Sequence, residues 1–177
     1  TSLSGTIILQ ATNDIIIDPI TVNPLDWTIP GTTANLVLQA GRHILFSNAG
    51  AFTINTNGGY IHLEADTPHY LLSHDGIGII DFGSVTLQTG GGNITIIGAD
   101  FNIPTTANIN AGSGNVSIAR SVNNYPFGLG SVVGAQLTNA EINRITTTGT
   151  VTIGQATTAG DDGQGTNAIT LIAGTVT

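Results

Sequence analysis

Apolar and polar residues alternate in short runs, and these runs recur along the chain at nearly constant intervals. The most regular stretch, 35–58, contains three runs whose apolar pairs are Leu36 and Leu38, Ile44 and Phe46, and Phe52 and Ile54. Alternation with a period of two places each pair on one face of a β-strand. Glycine, asparagine and alanine separate the runs, as expected of tight corners. Three strands and three corners predict one coil of a three-sided solenoid.

The three runs of this coil repeat before and after it. The first run recurs as Ile7 and Leu9, Leu36 and Leu38, Ile61 and Leu63, and Val85 and Leu87. The second recurs as Ile15 and Ile17, Ile44 and Phe46, Tyr70 and Leu72, and Ile94 and Ile96. The third recurs as Ile20 and Val22, Phe52 and Ile54, Ile77 and Ile79 (or Ile80 and Phe82), and Phe101 and Ile103. Repetition at this period is typical of solenoids. We therefore predict an all-β protein, a right-handed parallel β-helix of about six to seven coils stacked about 4.8 Å apart.

The repeat predicts a single β-helix segment over 1–177 that forms part of a longer rod or filament. Two stretches, 23–34 and 155–167, interrupt the rhythm and are predicted to be loop excursions. Strand-like sequence lies close to both termini, without the polar or helical cap that usually closes a solenoid. We expect the terminal coils to stack on flanking coils of the same chain or on another copy, through Ile7, Leu9, Ile169 and Leu171.

Composition and charge narrow the range of partners. The formal net charge is −8 and lysine is absent, so neither a nucleic acid nor an anionic membrane is an expected partner. No apolar stretch approaches the length of a membrane span, so no membrane insertion is predicted. The absence of cysteine leaves no disulfide framework, which stacked coils do not need.

Alignment of the second strands predicts a column of polar residues at one corner: Asp14, His43, His69 and Asn93. Histidine and carboxylate side chains are metal ligands, but a metal site needs side chains that converge on one ion about 2 Å away. A straight stack one coil apart converges poorly, so we interpret the column as a ladder of corner residues. The adjacent pair Asp161 and Asp162 also lacks the spaced oxygens of a calcium loop. No metal or other cofactor is predicted.

Catalysis is not predicted either. Enzymes of this shape that cleave acidic polysaccharides combine clustered carboxylates with an arginine or lysine. Arg42, Arg120 and Arg144 fall in different coils, and the nearest pair of carboxylates, Asp81 and Asp100, differs in phase. A carbohydrate-binding or polysaccharide-cleaving β-helix is the alternative interpretation.

Two further features bear on carbohydrate and ice. The single tryptophan of the chain, Trp27, suits either packing on a sheet or stacking on a sugar, and packing is the favoured reading. The threonines in 146–152 are typical of an ice-binding face, but the earlier coils do not repeat threonine at matching places.

The stretch 137–154 resembles a recurrent element of filamentous-haemagglutinin-like proteins. The matching residues are Leu137, Thr138, Ala140, Glu141, Ile142, Arg144, Ile145, Gly149, Val151, Ile153 and Gly154. The resemblance implies a secreted protein of the bacterial cell surface, exported by a two-partner route and used in adhesion or biofilm formation. Together with the repeat it predicts a non-catalytic structural and adhesive rod element, whose partners are itself and host or microbial surface glycans.

Overall fold

The computed structural model describes residues 5–18, 27–28, 33–47, 50–67, 76–122, 127–130, 137–154 and 169–171. Those residues form strands and one short helix, in the order β1 (Gly5–Ala11), β2 (Ile15–Ile17), β3 (Trp27–Thr28), β4 (Ala34–Ala40), β5 (Ile44–Phe46), β6 (Phe52–Asn55), β7 (Ile61–Ala65), β8 (Ile79–Asp81), β9 (Val85–Gln88), β10 (Ile94–Gly98), β11 (Asp100–Asn102), β12 (Asn108–Gly112), β13 (Val116–Arg120), β14 (Phe127–Leu129), α1 (Asn139–Ile142), β15 (Ile145–Thr147), β16 (Val151–Gly154) and β17 (Ile169–Leu171).

The strands pair in parallel to form four sheets. Sheet A has the order β1-β4-β7-β10-β13-β16, and sheet B has the order β11-β8-β5-β2. Sheet C has the order β15-β12-β9-β6-β3, and sheet D pairs β14 with β17. From β1 to β13 the chain thus visits sheets A, B and C in turn, whereas β14 and β17 pair with each other in sheet D. From β4 on, each strand of sheets A, B and C lies beside the strand three positions earlier in the chain. The all-β prediction is confirmed, and the parallel stacked sheets are consistent with a β-helix.

The core consists of the inward positions of successive strands, stacked in register. In sheet A, Leu38 pairs with Leu63 and Leu63 with Ile96, and all three are fully buried. Full burial of a side chain of this size contributes about 1.5–3 kcal/mol. The phenylalanines also stack: the ring centroids of Phe46 and Phe82 are 5.9 Å apart. The inward side chains of sheets A, B and C therefore form one apolar cluster.

The predicted register holds for the first three rows of sheet A. Leu9 pairs with Leu38, and Leu38 with Leu63. The fourth row is different: Val85 and Leu87 lie on β9 in sheet C, where they pair with β6. The prediction was wrong there because alternation identifies a strand and its buried face but not the sheet that the strand joins. The interval between β7 and β8 is long, and each later run lies on the sheet that precedes the predicted one.

This shift also reassigns the runs that follow. The strand at Ile94 and Ile96 is β10 of sheet A, where the sequence had predicted the second sheet. Ile80 pairs with Ile44 of β5, so β8 belongs to sheet B and not to the third side of the coil. Phe101 of β11 follows β8 into sheet B. The runs at Ile20 and Val22 and at Tyr70 and Leu72 lie outside the described residues.

The two predicted excursions differ in how much of them the structure describes. Within 23–34, Trp27 and Thr28 form β3 and pair with Ile54 and Asn55, so this stretch contributes a strand. Ala34, its last residue, opens β4. The excursion 155–167 lies outside the described residues.

Candidate functional site

The corner that leads into sheet A contains a column of glycines, Gly59, Gly92, Gly114 and Gly149, which stacks on Ala34. A Cβ on Gly92 would lie 2.0 Å from the carbonyl oxygen of Gly59, and one on Gly114 would lie 2.1 Å from that of Gly92. No side chain fits at such distances. Threonine hydroxyls close the same corner: the Oγ1 of Thr56 donates to the Gly59 carbonyl (2.6 Å) and that of Thr89 to the Gly92 carbonyl (2.5 Å). The backbones of successive coils therefore touch directly here.

Asparagines follow Ala34, Gly92 and Gly114 at this corner, and their side chains join one coil to the next. The Oδ1 of Asn35 accepts a hydrogen bond from the Tyr60 N–H (3.0 Å). The Oδ1 of Asn93 accepts from the Asn115 N–H, and that of Asn115 from the Thr150 N–H, both at 2.9 Å. Each amide oxygen gives an exposed backbone N–H of the next coil a partner where the ladder bends. This asparagine column therefore links successive coils by hydrogen bonds along the corner.

The predicted polar column at the next corner is only partly formed. Asp14 and His43 are neighbours in it: the Asp14 carboxylate accepts from the His43 N–H (3.1 Å). The next member is Ile79, whose N–H donates to the Nδ1 of His43 (3.1 Å). Asn93 does not belong to this column, because it precedes β10 of sheet A rather than a strand of sheet B. His69 lies outside the described residues.

Arg42 pairs with Asp14 at this corner through two contacts. Its Nε donates to Oδ1 at 2.9 Å and its Nη2 to Oδ2 at 2.6 Å. These bonds, opposed in part by desolvation, lower the pKa of the Asp14 carboxyl from 3.8 to about 2. The carboxylate is thereby occupied on both oxygens. Within the residues that the structure describes, no three His, Cys, Asp or Glu side chains are grouped so as to hold a metal ion.

The outer face of sheet A carries a row of linked polar side chains. The Nε2 of Gln10 donates to Gln39 (2.8 Å), and the Nε2 of Gln39 donates to the Glu64 carboxylate (2.8 Å). His62 lies 3.2 Å from the same carboxylate oxygen. The row spans three coils, and each member uses its neighbour as a partner. It is a ladder of amides and carboxylate that adds cross-coil hydrogen bonds to the backbone ladder.

A buried carboxylate, Asp66, is the feature that the sequence did not reveal. Asp66 is 1% exposed and has a left-handed backbone with φ of 66°. Its Oδ2 accepts from the Ser121 hydroxyl (2.6 Å) and the Gly76 N–H (3.0 Å). Because Asp66 follows β7 and Ser121 follows β13, the contact reaches past β10 and ties non-adjacent coils. No local pattern marks Asp66, since its partner Ser121 is 55 positions away.

The short helix α1 fastens the end of sheet B. Thr138 is its N-cap, and Glu141 completes a capping box with the Thr138 backbone and hydroxyl (2.9 and 2.8 Å). The second oxygen of Glu141 accepts from the Ile103 N–H (2.9 Å), and the Nη1 of Arg144 donates to the Ile103 carbonyl. Both backbone groups of Ile103, just beyond β11, thus gain side-chain partners. The stretch 137–154, on which the family resemblance rests, thus binds the backbone of Ile103.

The two carboxylates considered for hydrolysis accept hydrogen bonds from backbone N–H groups. Asp81 accepts from the Gly83 N–H (3.0 Å) and Asp100 from the Phe101 N–H (2.9 Å). Burial raises the pKa of the Asp100 carboxyl, and the negative charge of Glu141 adds to the rise. Asp81 pairs with Asn102, so the two carboxylates occupy different register positions of sheet B, as predicted.

The predicted stacking residues lie on strands at the ends of their sheets. Leu9 is 37% exposed on β1, whereas its register partner Leu38 is fully buried. Ile7 on the same strand is half-buried. Ile169 and Leu171 lie on β17 and pair with Phe127 and Leu129 of β14. In the described part of the chain, β1 and β16 are the two outer strands of sheet A.

Comparison with known proteins identifies no relative. No family profile, curated protein or solved structure is significantly similar to the chain. The resemblance to filamentous-haemagglutinin-like proteins therefore stays a prediction. Among the described residues no helix is long and apolar enough to cross a membrane.

Proposed function

We propose that this protein is a non-catalytic structural and adhesive element of a secreted bacterial surface rod or filament. In this proposal the stacked sheets A, B and C close into a right-handed, three-sided β-helix of about six to seven coils, and equivalent strands repeat about every 4.8 Å. The observation that carries the proposal is the set of hydrogen bonds between coils. Backbone ladders, asparagine and glutamine columns and the α1 contacts all join one coil to another.

The ends of sheet A support stacking as the mode of assembly. An edge strand presents unpaired N–H and C=O groups and pairs readily with a strand of the same kind. On β1 the inward position of Leu9 is 37% exposed, and on β16 Val151 is 41% exposed. Both positions continue buried columns of the sheet, so a neighbouring coil would cover them in the same way as inner coils cover each other. That coil belongs to the same chain or to a second copy.

Electron microscopy of the purified protein tests this assembly. Fibres one β-helix wide are the expected result, and Leu9→Asp should abolish them because it places a charge in the stacked interior. Ile8→Asp is the matched control, since Ile8 faces outward on the same strand and is already 56% exposed. Monomers under all conditions would contradict stacking between copies, and fibres unaffected by Leu9→Asp would contradict stacking through β1.

Cell-surface location and adhesion are tested separately. Antibody labelling of intact cells of the source bacterium should detect the protein outside the outer membrane, and loss of the gene should reduce attachment or biofilm mass. Detection only inside the cell would refute the surface role while leaving the rod architecture untouched.

A further inference from the structure

The outer face of sheet C differs from those of sheets A and B in carrying no charge. None of β6, β9, β12 and β15 contains an acidic, basic or histidine residue. Sheet A carries His62, Glu64 and Arg120, and sheet B carries Asp81 and Asp100. A charge-free face is notable on a chain with eleven acidic and three basic residues.

Hydroxyl and amide side chains form two columns on this face. The neutral face, as we name it, comprises Thr53, Thr86 and Asn108 in one column and Asn55, Gln88 and Asn110 in the other. Members of a column are about 4.8 Å apart, and the two columns are about 6.7 Å apart along the strands. The sequence did not reveal these columns, because the shift after β7 had assigned β9 to another sheet.

Most polar groups of the neutral face have no partner within the described part of the chain. The side chains of Thr53, Thr86, Gln88 and Asn108 make no hydrogen bond to it. The other two asparagines use only their carbonyl oxygens, in 2.9 Å bonds to the N–H groups of Asn57 and Gly112, so their amide NH₂ groups remain available. The face thus offers donors and acceptors at regular intervals.

We propose that the neutral face binds an extended, uncharged polysaccharide that runs along the stacked coils. A nucleic acid or anionic glycan would require cationic side chains, which this face lacks. A protein partner would require large apolar anchors near the centre of the interface. Among the residues whose burial the structure describes, the exposed large apolar side chains all lie off sheet C: Ile8, Leu9, Ile16, Tyr60, Ile77 and Val151. Sugar hydroxyls, which both donate and accept, match what the face offers.

This inference rests on the adhesive part of the proposed function, and its test separates the two. The purified chain is mixed with insoluble cellulose, chitin or β-1,3-glucan, and depletion from the supernatant is measured, with anionic alginate as the comparison polymer. Retention on at least one neutral polymer and none on alginate is expected. Thr86→Glu, at the centre of the face, should weaken retention roughly tenfold or more. Thr86→Val, which keeps the shape and the strand preference, should weaken it roughly threefold.

Thr95→Glu is the matched control, because Thr95 is a half-buried outward threonine on β10 of sheet A. Equal weakening by Thr86→Glu and Thr95→Glu would overturn the assignment to the neutral face. Absence of retention by every neutral polymer would overturn the inference even if microscopy shows rods. Retention without rods would support the neutral face and contradict the rod. If the protein shapes ice, loses this activity with Thr86→Glu and is retained by no polymer, the polysaccharide proposal is overturned and the ligand of the neutral face is an ice lattice.

Discussion

Gly92→Ala should be one of the most damaging conservative substitutions in this chain. The added methyl carbon would lie 2.0 Å from the Gly59 carbonyl oxygen and 2.4 Å from its carbon, where Cβ atoms essentially never approach within 3.0 Å. The clash is with backbone, so no side-chain rotation relieves it. The two coils must separate locally by about 1 Å, and that movement weakens the adjoining Ile61 N–H to Asn93 carbonyl bond of 2.9 Å. Overpacking and one impaired buried hydrogen bond together predict a loss of about 2–4 kcal/mol.

Urea denaturation followed by circular dichroism and by tryptophan fluorescence measures this loss. Two probes are needed because solenoids do not always unfold in one step. Gly50→Ala is the control: a Cβ there meets no atom within 4 Å, so its stability should change by less than about 1 kcal/mol and can rise through the stiffer unfolded chain. If the midpoint of Gly92→Ala falls no further than that of Gly50→Ala, the direct contact of backbones at this corner is refuted.

Three further outcomes follow from the same contacts. The Asp14→Asn variant should lack one acid-induced decrease in stability. The pKa of the Asp14 carboxyl is about 2 in the folded protein, below the ordinary 3.8, so the carboxylate stabilises the native protein above pH 4 and this contribution is lost between pH 4 and 2. Urea midpoints across that window measure it, and an unchanged acid limb in the variant would contradict the pairing. Glu141→Ala should lower the free energy of unfolding by about 2–3 kcal/mol, because it removes a capping box and a partner of the Ile103 N–H. Ala140→Ser, at an exposed helix position, is its control and should change stability by less than about 0.5 kcal/mol, as surface substitutions usually do. Equal effects of the two substitutions would contradict a stabilising role of the Glu141 contacts. Asn115→Ala should cost about 1 kcal/mol by leaving the Thr150 N–H without its side-chain partner, and hydrogen exchange at that amide should accelerate; unchanged exchange would argue against the asparagine column.

Local pattern alone determined the elements and most of the core. The alternation at Leu36, Leu38, Ile44 and Phe46 predicted strands with those residues inward, and all four are buried at 2% exposure or less. Parallel pairing followed from the repeat, because equivalent runs one coil apart have to stack in the same direction. Glycine and asparagine between the runs predicted corners, because these residues tolerate conformations that others avoid, and Gly92 lies at one such corner.

Only the tertiary structure decided which sheet each later strand joins and which polar side chains meet. Val85 and Ile94 have the same alternating surroundings, yet β9 lies in sheet C and β10 in sheet A. Alternation records burial and not direction around the axis, so one irregular interval reassigns every later strand. The contact of Asp66 with Ser121 and that of Glu141 with Ile103 join residues 55 and 38 positions apart. Such bonds depend on the number of residues in each coil, a quantity that no single strand encodes.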